Sequence, residues 1–174
     1  MPVMDALTDA WHGRDVDLHA ESHAALAAMR GCPQTEAFHG EGDVATHATW
    51  VYDLAREHAD TFAARAGVEH VGVQAQVLRL AALLHDAGKP ETTVDVGPGV
   101  WSSRGHDEAG ARVVSLLAQT QLLLASLPLG AYVSVHALVR DHMWTYAADR
   151  IPPGAAPADD ACHRPPPAHG ALGR

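Results

Sequence analysis

The sequence is short of aromatic residues, which make up only 5% of it, and of charged ones, at 19%. With so little Phe, Trp and Tyr, a core must be built mainly from Ala, Leu and Val, a composition that favours helices over a β-sandwich. Cysteine is nearly absent, with Cys32 and Cys162 the two present. They have no metal-ligand spacing and make no disulfide framework, which suits a reducing, cytoplasmic compartment. No apolar run is long enough to span a bilayer, and the opening MPVMDALTDA lacks the apolar stretch of a secretory signal. Lysine occurs once, at Lys89. Acidic residues outnumber basic ones, and the formal net charge is −9 with histidines neutral. An acidic surface repels a phosphate backbone, which argues against a general nucleic-acid-binding module. A small phosphorylated substrate is still compatible, provided that bound metal supplies positive charge locally.

What the chain does have is hydrophobic content of 47% over 174 residues, enough for one globular core. It also has 13 histidines, more than a chain of this size usually carries. The pattern predicts an all-α bundle of about five to six helices over residues 1–150. One or two helices are expected within 1–31, ended by Gly31 and Pro33. The next spans 44–65, with Asp43 as its N-cap and Gly67 closing it. Val44, His47, Val51, Leu54, His58 and Phe62 recur on one face of that helix, and Tyr52 falls on another. Residues 74–87 form a further helix, apolar all round in LAALL and therefore central. A glycine-rich loop is expected over 91–105. A helix then runs from 107 to about 126 with Val113, Leu116, Leu117 and Leu124 as its core face, and another over 131–146. From Ile151 onward the composition changes: six of the chain's eleven prolines lie in the last 24 residues. That segment, 151–174, reads as a disordered tail.

The chemistry concentrates in LLHDAGKP, residues 83–90. It sets His85 and Asp86 side by side at the end of a buried helix. Burying either group without a partner is costly. A divalent first-row metal relieves both, since imidazole nitrogen and carboxylate oxygen are good ligands for such ions. His47 lies in the apolar stripe of its helix, and His142 lies in that of Val135, Leu138 and Val139. His106 stands in GHDEAGA just before a helix, where a loop can deliver it to a central site. Asp141 is rotated about 100° from His142 on an ideal helix and points more sideways. His58 shares the face of His47 but lies roughly 16 Å along the axis, too far for the same centre. His12, His19, His23, His163 and His169 have no supporting context and read as surface residues.

The segments HGEGDVATH (39–47), LLHDAGKP (83–90), GHDEAGA (105–111) and LVRDH (138–142) together resemble the HD domain. The branch they most resemble is the one attached to bacterial tRNA nucleotidyltransferases, the CCA-adding enzymes. Order and spacing agree over roughly residues 30–146. The sequence has no nucleotidyltransferase head, so nucleotide addition to tRNA is not implied. The resemblance implies one or two divalent ions, among Mn, Co, Ni, Fe, Mg and Zn. His47, His85 and Asp86 would be ligands to one, and His106 and His142 would serve a second, with Asp86 bridging both. The family motif ends in an Asp on a later helix, for which Asp141 or Asp149 would have to substitute.

The activity implied is a metal-dependent phosphohydrolase that uses metal-activated water on a phosphomonoester or phosphodiester of a nucleotide-like small molecule. Asp86 would hold the ion. Lys89, as a flexible ammonium, and Arg104 would contact substrate phosphate. Glu41 and Asp107 are near enough in the motifs to be named as leaving-group acids. Two alternatives stand beside this: a non-catalytic HD-fold domain that keeps metal for stability or partner binding, and a di-iron oxygenase of the HD type.

Overall fold

A computed structural model of the chain describes residues 5–65 and 71–144. The tail expected from Ile151 onward, Gly67, Asp149 and the last residues of the helix expected to reach 146 lie outside the described residues. The architecture is mostly helical, as the composition predicts. Two short helices, α1 (Ala6–Trp11) and α2 (Ala24–Ala27), open the chain. The long α3 (Val44–Arg65) then packs along α4 (Val71–Leu84). A single turn, α5 (Lys89–Thr92), leads into a hairpin of β1 (Val94–Gly97) and β2 (Val100–Ser102). The chain then makes α6 (His106–Thr120), α7 (Leu122–Ser126) and α8 (Leu129–Asp141). Helix α4 is central, with α3, α8 and α1 packed around it, and α8 also packs on α6. Leu80, Ala81, Ala82, Leu83 and Leu84 are all buried, so the LAALL segment is the middle of the core. Among the described residues, no helix is long and apolar enough to cross a membrane.

Local chemistry explains where several elements begin. Asp43 caps α3: its Oδ1 accepts from Thr46 N at 2.9 Å and its Oδ2 from Gly31 N at 2.6 Å. Burial works against the charge of Asp43, but these amide hydrogen bonds outweigh it and hold the carboxyl below the usual carboxylate range. The buried Glu21 accepts from Ala6 N at 3.1 Å at the start of α1, and from the amides of Ser22 and His23.

The buried faces differ from those expected in two helices. In α3 Val44 is buried as expected, but the other buried residues are Ala45, Ala48, Tyr52 and Ala59, whereas Leu54 is 60% exposed. Tyr52 is fully buried, and its hydroxyl has a partner there, donating to Arg14 O at 2.5 Å. In α6, Val114 and Leu117 are buried while Leu116 is exposed. The helix expected to run unbroken to 126 stops at Gln121, whose extended backbone separates α6 from α7. The loop expected over 91–105 holds α5 and the hairpin, whose Val94 lies opposite Ser102 and Asp95 opposite Trp101. The alternation in VDV and VWS around Gly97-Pro98-Gly99 is the signal for it.

Two glycines fix how closely α6 approaches the centre of the molecule. A Cβ on Gly88 would lie 2.1 Å from His106 O and 2.3 Å from Gly110 N. A Cβ on Gly110 would lie 3.0 Å from Val139 Cγ1. The turn after α4 therefore rests backbone to backbone on the first turns of α6, and Val139 of α8 closes on Gly110.

Candidate metal centre

Helix α4 ends at Leu84, so His85 and Asp86 sit in the turn between α4 and α5 rather than on the helix. Leaving the helix removes the fixed angular offset between neighbours, and both side chains reach one point. His47 comes from the first turns of α3, His106 is the first residue of α6, and His142 caps the C-terminus of α8. All five side chains meet around Asp86, which is only 1% exposed.

The two oxygens of Asp86 divide the histidines into pairs. Oδ2 lies 3.2 Å from His85 Nε2 and 3.6 Å from His47 Nε2. Oδ1 lies 3.3 Å from His106 Nε2 and 3.8 Å from His142 Nε2. Within the pairs, the Nε2 atoms of His47 and His85 are 3.3 Å apart and those of His106 and His142 are 3.0 Å apart.

The opposite ring nitrogens explain this convergence. His85 Nδ1 donates to Ala82 O at 2.8 Å, His106 Nδ1 to Ser103 O at 2.7 Å, and His142 Nδ1 to Val139 O at 2.7 Å. Each acceptor is the carbonyl three residues earlier. A carbonyl can only accept, so Nδ1 carries the proton, and a neutral ring turns its Nε2 lone pair inward. His47 does the same with a carboxylate: its Nδ1 is 2.5 Å from Glu41 Oε1. His39 Nδ1 meets that oxygen at 3.1 Å, and its ring packs edge-on against His47.

Neutral rings arranged this way point lone pairs at one another across about hydrogen-bond distance, with no proton between them. Burial pushes the His47 and His142 pKa values down, which favours the neutral, lone-pair-bearing form. Burial also opposes the charge of Asp86, but the neighbouring His106 and His85 and the Lys89 ammonium overcome it. They hold that carboxyl far below the usual range. Asp86 Oδ2 nevertheless receives no well-directed hydrogen bond, although Lys89 Nζ lies 2.8 Å away. Converging Nε2 lone pairs around an ionised, under-satisfied carboxylate call for a cation, and a transition metal meets that need at the point where a proton otherwise would. Among the described residues three donor sets could hold an ion, and two of them share Asp86: His47 with His85 and Asp86, and Asp86 with His106 and His142; the third is His39 with Glu41 and His47.

The remaining site expectations fare differently. Asp141 is not brought to the centre. It turns onto its neighbour, its two oxygens accepting from Arg140 Nε and an Arg140 terminal nitrogen, both at 2.7 Å. The Arg140 hydrogen bond holds its carboxyl below the usual range. The angular offset from His142 keeps the two side chains apart. Lys89 is not a flexible exposed ammonium: it is 7% exposed and donates to Gln34 Oε1 at 2.7 Å while pairing with Asp86. Arg104 is exposed in the turn before α6, two residues from His106. His58 is exposed and belongs to none of the donor groups.

Sequence reasoning missed the partnership of Glu41 with His47. Glu41 precedes the α3 cap in a turn, where helical periodicity says nothing about direction. The signal available was its place in HGEGDVATH, six residues before the ligand. Gln34 and Ser103 were missed for the same reason. Thr35 hydrogen-bonds both N and O of Trp101, at 2.9 and 3.1 Å, and thereby ties the Gln34–His39 segment to β2 beside the centre.

No curated protein and no solved structure matches the chain. The family model for the HD domain matches residues 44–151, a span that contains His47, His85, Asp86, His106 and His142. Because that span covers more than half of the sequence and carries the whole histidine–aspartate cluster, the chain belongs to the HD domain family.

Proposed function

We propose that this protein is a metal-dependent phosphohydrolase that cleaves a phosphomonoester or phosphodiester of a nucleotide-like small molecule. The observation that carries the reading is Asp86, with one oxygen in each histidine pair, at the heart of an HD domain. One divalent ion or two, held by Asp86 with His47 and His85 and by Asp86 with His106 and His142, would supply Lewis acidity toward a phosphoryl oxygen and make water a better nucleophile. Imidazole-rich donor sets suit Co, Ni, Fe or Zn better than Mg or Mn. The depressed carboxyl of Asp86 favours the ionised form that an ion needs. Lys89 holds Asp86 in place from below. Arg104, exposed beside His106, offers a guanidinium to a substrate phosphate that the acidic surface otherwise repels. The motif order supports closeness to the HD branch of the tRNA nucleotidyltransferases and, with it, a nucleotide-like substrate. The scarcity of cysteine supports cytoplasmic residence.

A second reading is a non-catalytic HD-fold domain that keeps its ion for stability. It is favoured by Asp141 turning onto Arg140, which leaves Asp86, among the described residues, as the carboxylate that both histidine pairs share. The deciding experiment is a phosphoester screen of the Mn²⁺-, Co²⁺- and Ni²⁺-loaded protein beside Asp86→Ala. Turnover that vanishes in the variant supports the hydrolase. Metal binding with no turnover on any phosphoester would leave the second reading. Purification with about two irons and substrate-dependent oxygen uptake would turn the assignment to a di-iron oxygenase.

A further inference from the structure

The two halves of the centre are not equivalent, and the difference lies in Lys89. Oδ1 of Asp86 faces His106 and His142. Oδ2 faces His47 and His85, and it also faces the Lys89 ammonium at 2.8 Å, closer than either ring. Lys89 is fixed there. It is buried, it stands one helical turn after Asp86, and Gln34 Oε1 holds its other side at 2.7 Å. We infer that Lys89 sets the order of metal loading: a cation enters the His106/His142 half first, and the His47/His85 half fills only as Lys89 gives up its share of Oδ2.

The physical argument is competition for one oxygen. A carboxylate oxygen that neutralises a buried ammonium has less charge to offer a second cation, and two positive charges close together in a low-dielectric site repel. Glu41 acts in the opposite sense, since its charge lies on the His47 side. It is separated from the ion's place by the full width of the His47 imidazole, however, whereas Lys89 touches the ligand oxygen itself. The nearer charge dominates. A hydrogen bond to a charged group is strong enough that removing the competitor raises affinity roughly tenfold or more. The inference rests on the cluster being a metal centre, not on the phosphohydrolase reading.

The test is a zinc titration of the full chain, followed by side-chain ¹⁵N–¹H NMR of the histidines and needing no substrate. With the first equivalent of Zn²⁺, the Nε2 signals of His106 and His142 should shift while those of His47 and His85 stay; the latter should move with the second equivalent. Lys89→Met keeps the length and burial of the side chain without its charge, and Lys89→Gln repeats the removal with a polar group. In both variants the weaker site should tighten by tenfold or more and the two steps should merge. First shifts at His47 and His85, simultaneous filling in the wild type, or an unchanged order in both variants would each overturn the inference. Absence of zinc binding would overturn it together with the metal centre. Ordered loading without phosphoester turnover would leave it standing while removing the hydrolase.

Discussion

Gly88→Ala tests whether close backbone contact is what assembles the centre. The added Cβ would lie 2.1 Å from His106 O and 2.3 Å from Gly110 N, both of them backbone atoms that no rotamer change can move aside. Ordinary contacts fall near 3.5–4.0 Å, so the turn and α6 must part by more than about 1 Å. The cost is about 3 kcal/mol, the upper end for overpacking a close-packed interior. At 2–4 °C per kcal/mol for a chain of this size, Tm should fall by about 6–12 °C. The same displacement carries His106 away from Asp86 Oδ1, from which it now stands 3.3 Å. The variant should therefore lose the His106/His142 half of the centre and keep the His47/His85 half, whose residues α6 does not carry. Thermal unfolding of the metal-free protein gives the first quantity, and elemental analysis of the reconstituted variant gives the second. An unchanged Tm with wild-type metal content would refute the view that the glycine contact places His106.

Two further outcomes follow from the geometry. Glu41→Gln keeps an acceptor for His47 Nδ1 but removes the charge, so competition with a chromophoric chelator should show metal affinity at the His47/His85 half reduced by about tenfold, with the fold intact; equal affinity would mean that Glu41 does no more than fill space. The metal-free protein should lose stability as pH falls through about 6.5, the ordinary histidine value. The folded-state pKa values of His47 and His142 lie below that value, so in acid the unfolded chain takes up protons that the folded one refuses. Asp86 contributes nothing to this change, because its depressed carboxyl stays ionised across the window. A Tm of the metal-free protein that does not fall between pH ~7.5 and ~5.5 would count against buried neutral histidines.

The chemistry of the site was more legible in the sequence than the packing around it. His47, His85, Asp86, His106 and His142 stood out because polar groups at buried positions demand a reason, and because four motifs kept one order. The core face of α3 was only partly legible, because periodicity follows the larger apolar residues. Val44, Val51 and Leu54 recur at helical spacing, yet Leu54 is exposed and the buried positions beside Val44 are Ala45, Ala48, Tyr52 and Ala59. The hairpin's signal, three-residue alternations on either side of Gly97-Pro98-Gly99, is as short as its strands, so the glycines read as a plain loop. Lys89 was misjudged because a lysine after a helix normally reaches solvent. Nothing local reveals that Gln34, from a distant loop, arrives to bury it.

The three carbonyls that hold His85, His106 and His142 each lie in the same short stretch of chain as the ring they orient. A ring aimed by its own segment stays aimed whether or not an ion is present, so the entropy of orienting the donors is spent during folding and not again on binding. Chelation and reloading should then be a fast, repeatable exchange on a standing scaffold. The protein can sample whichever divalent ions its surroundings hold, and availability as much as affinity decides which one it carries.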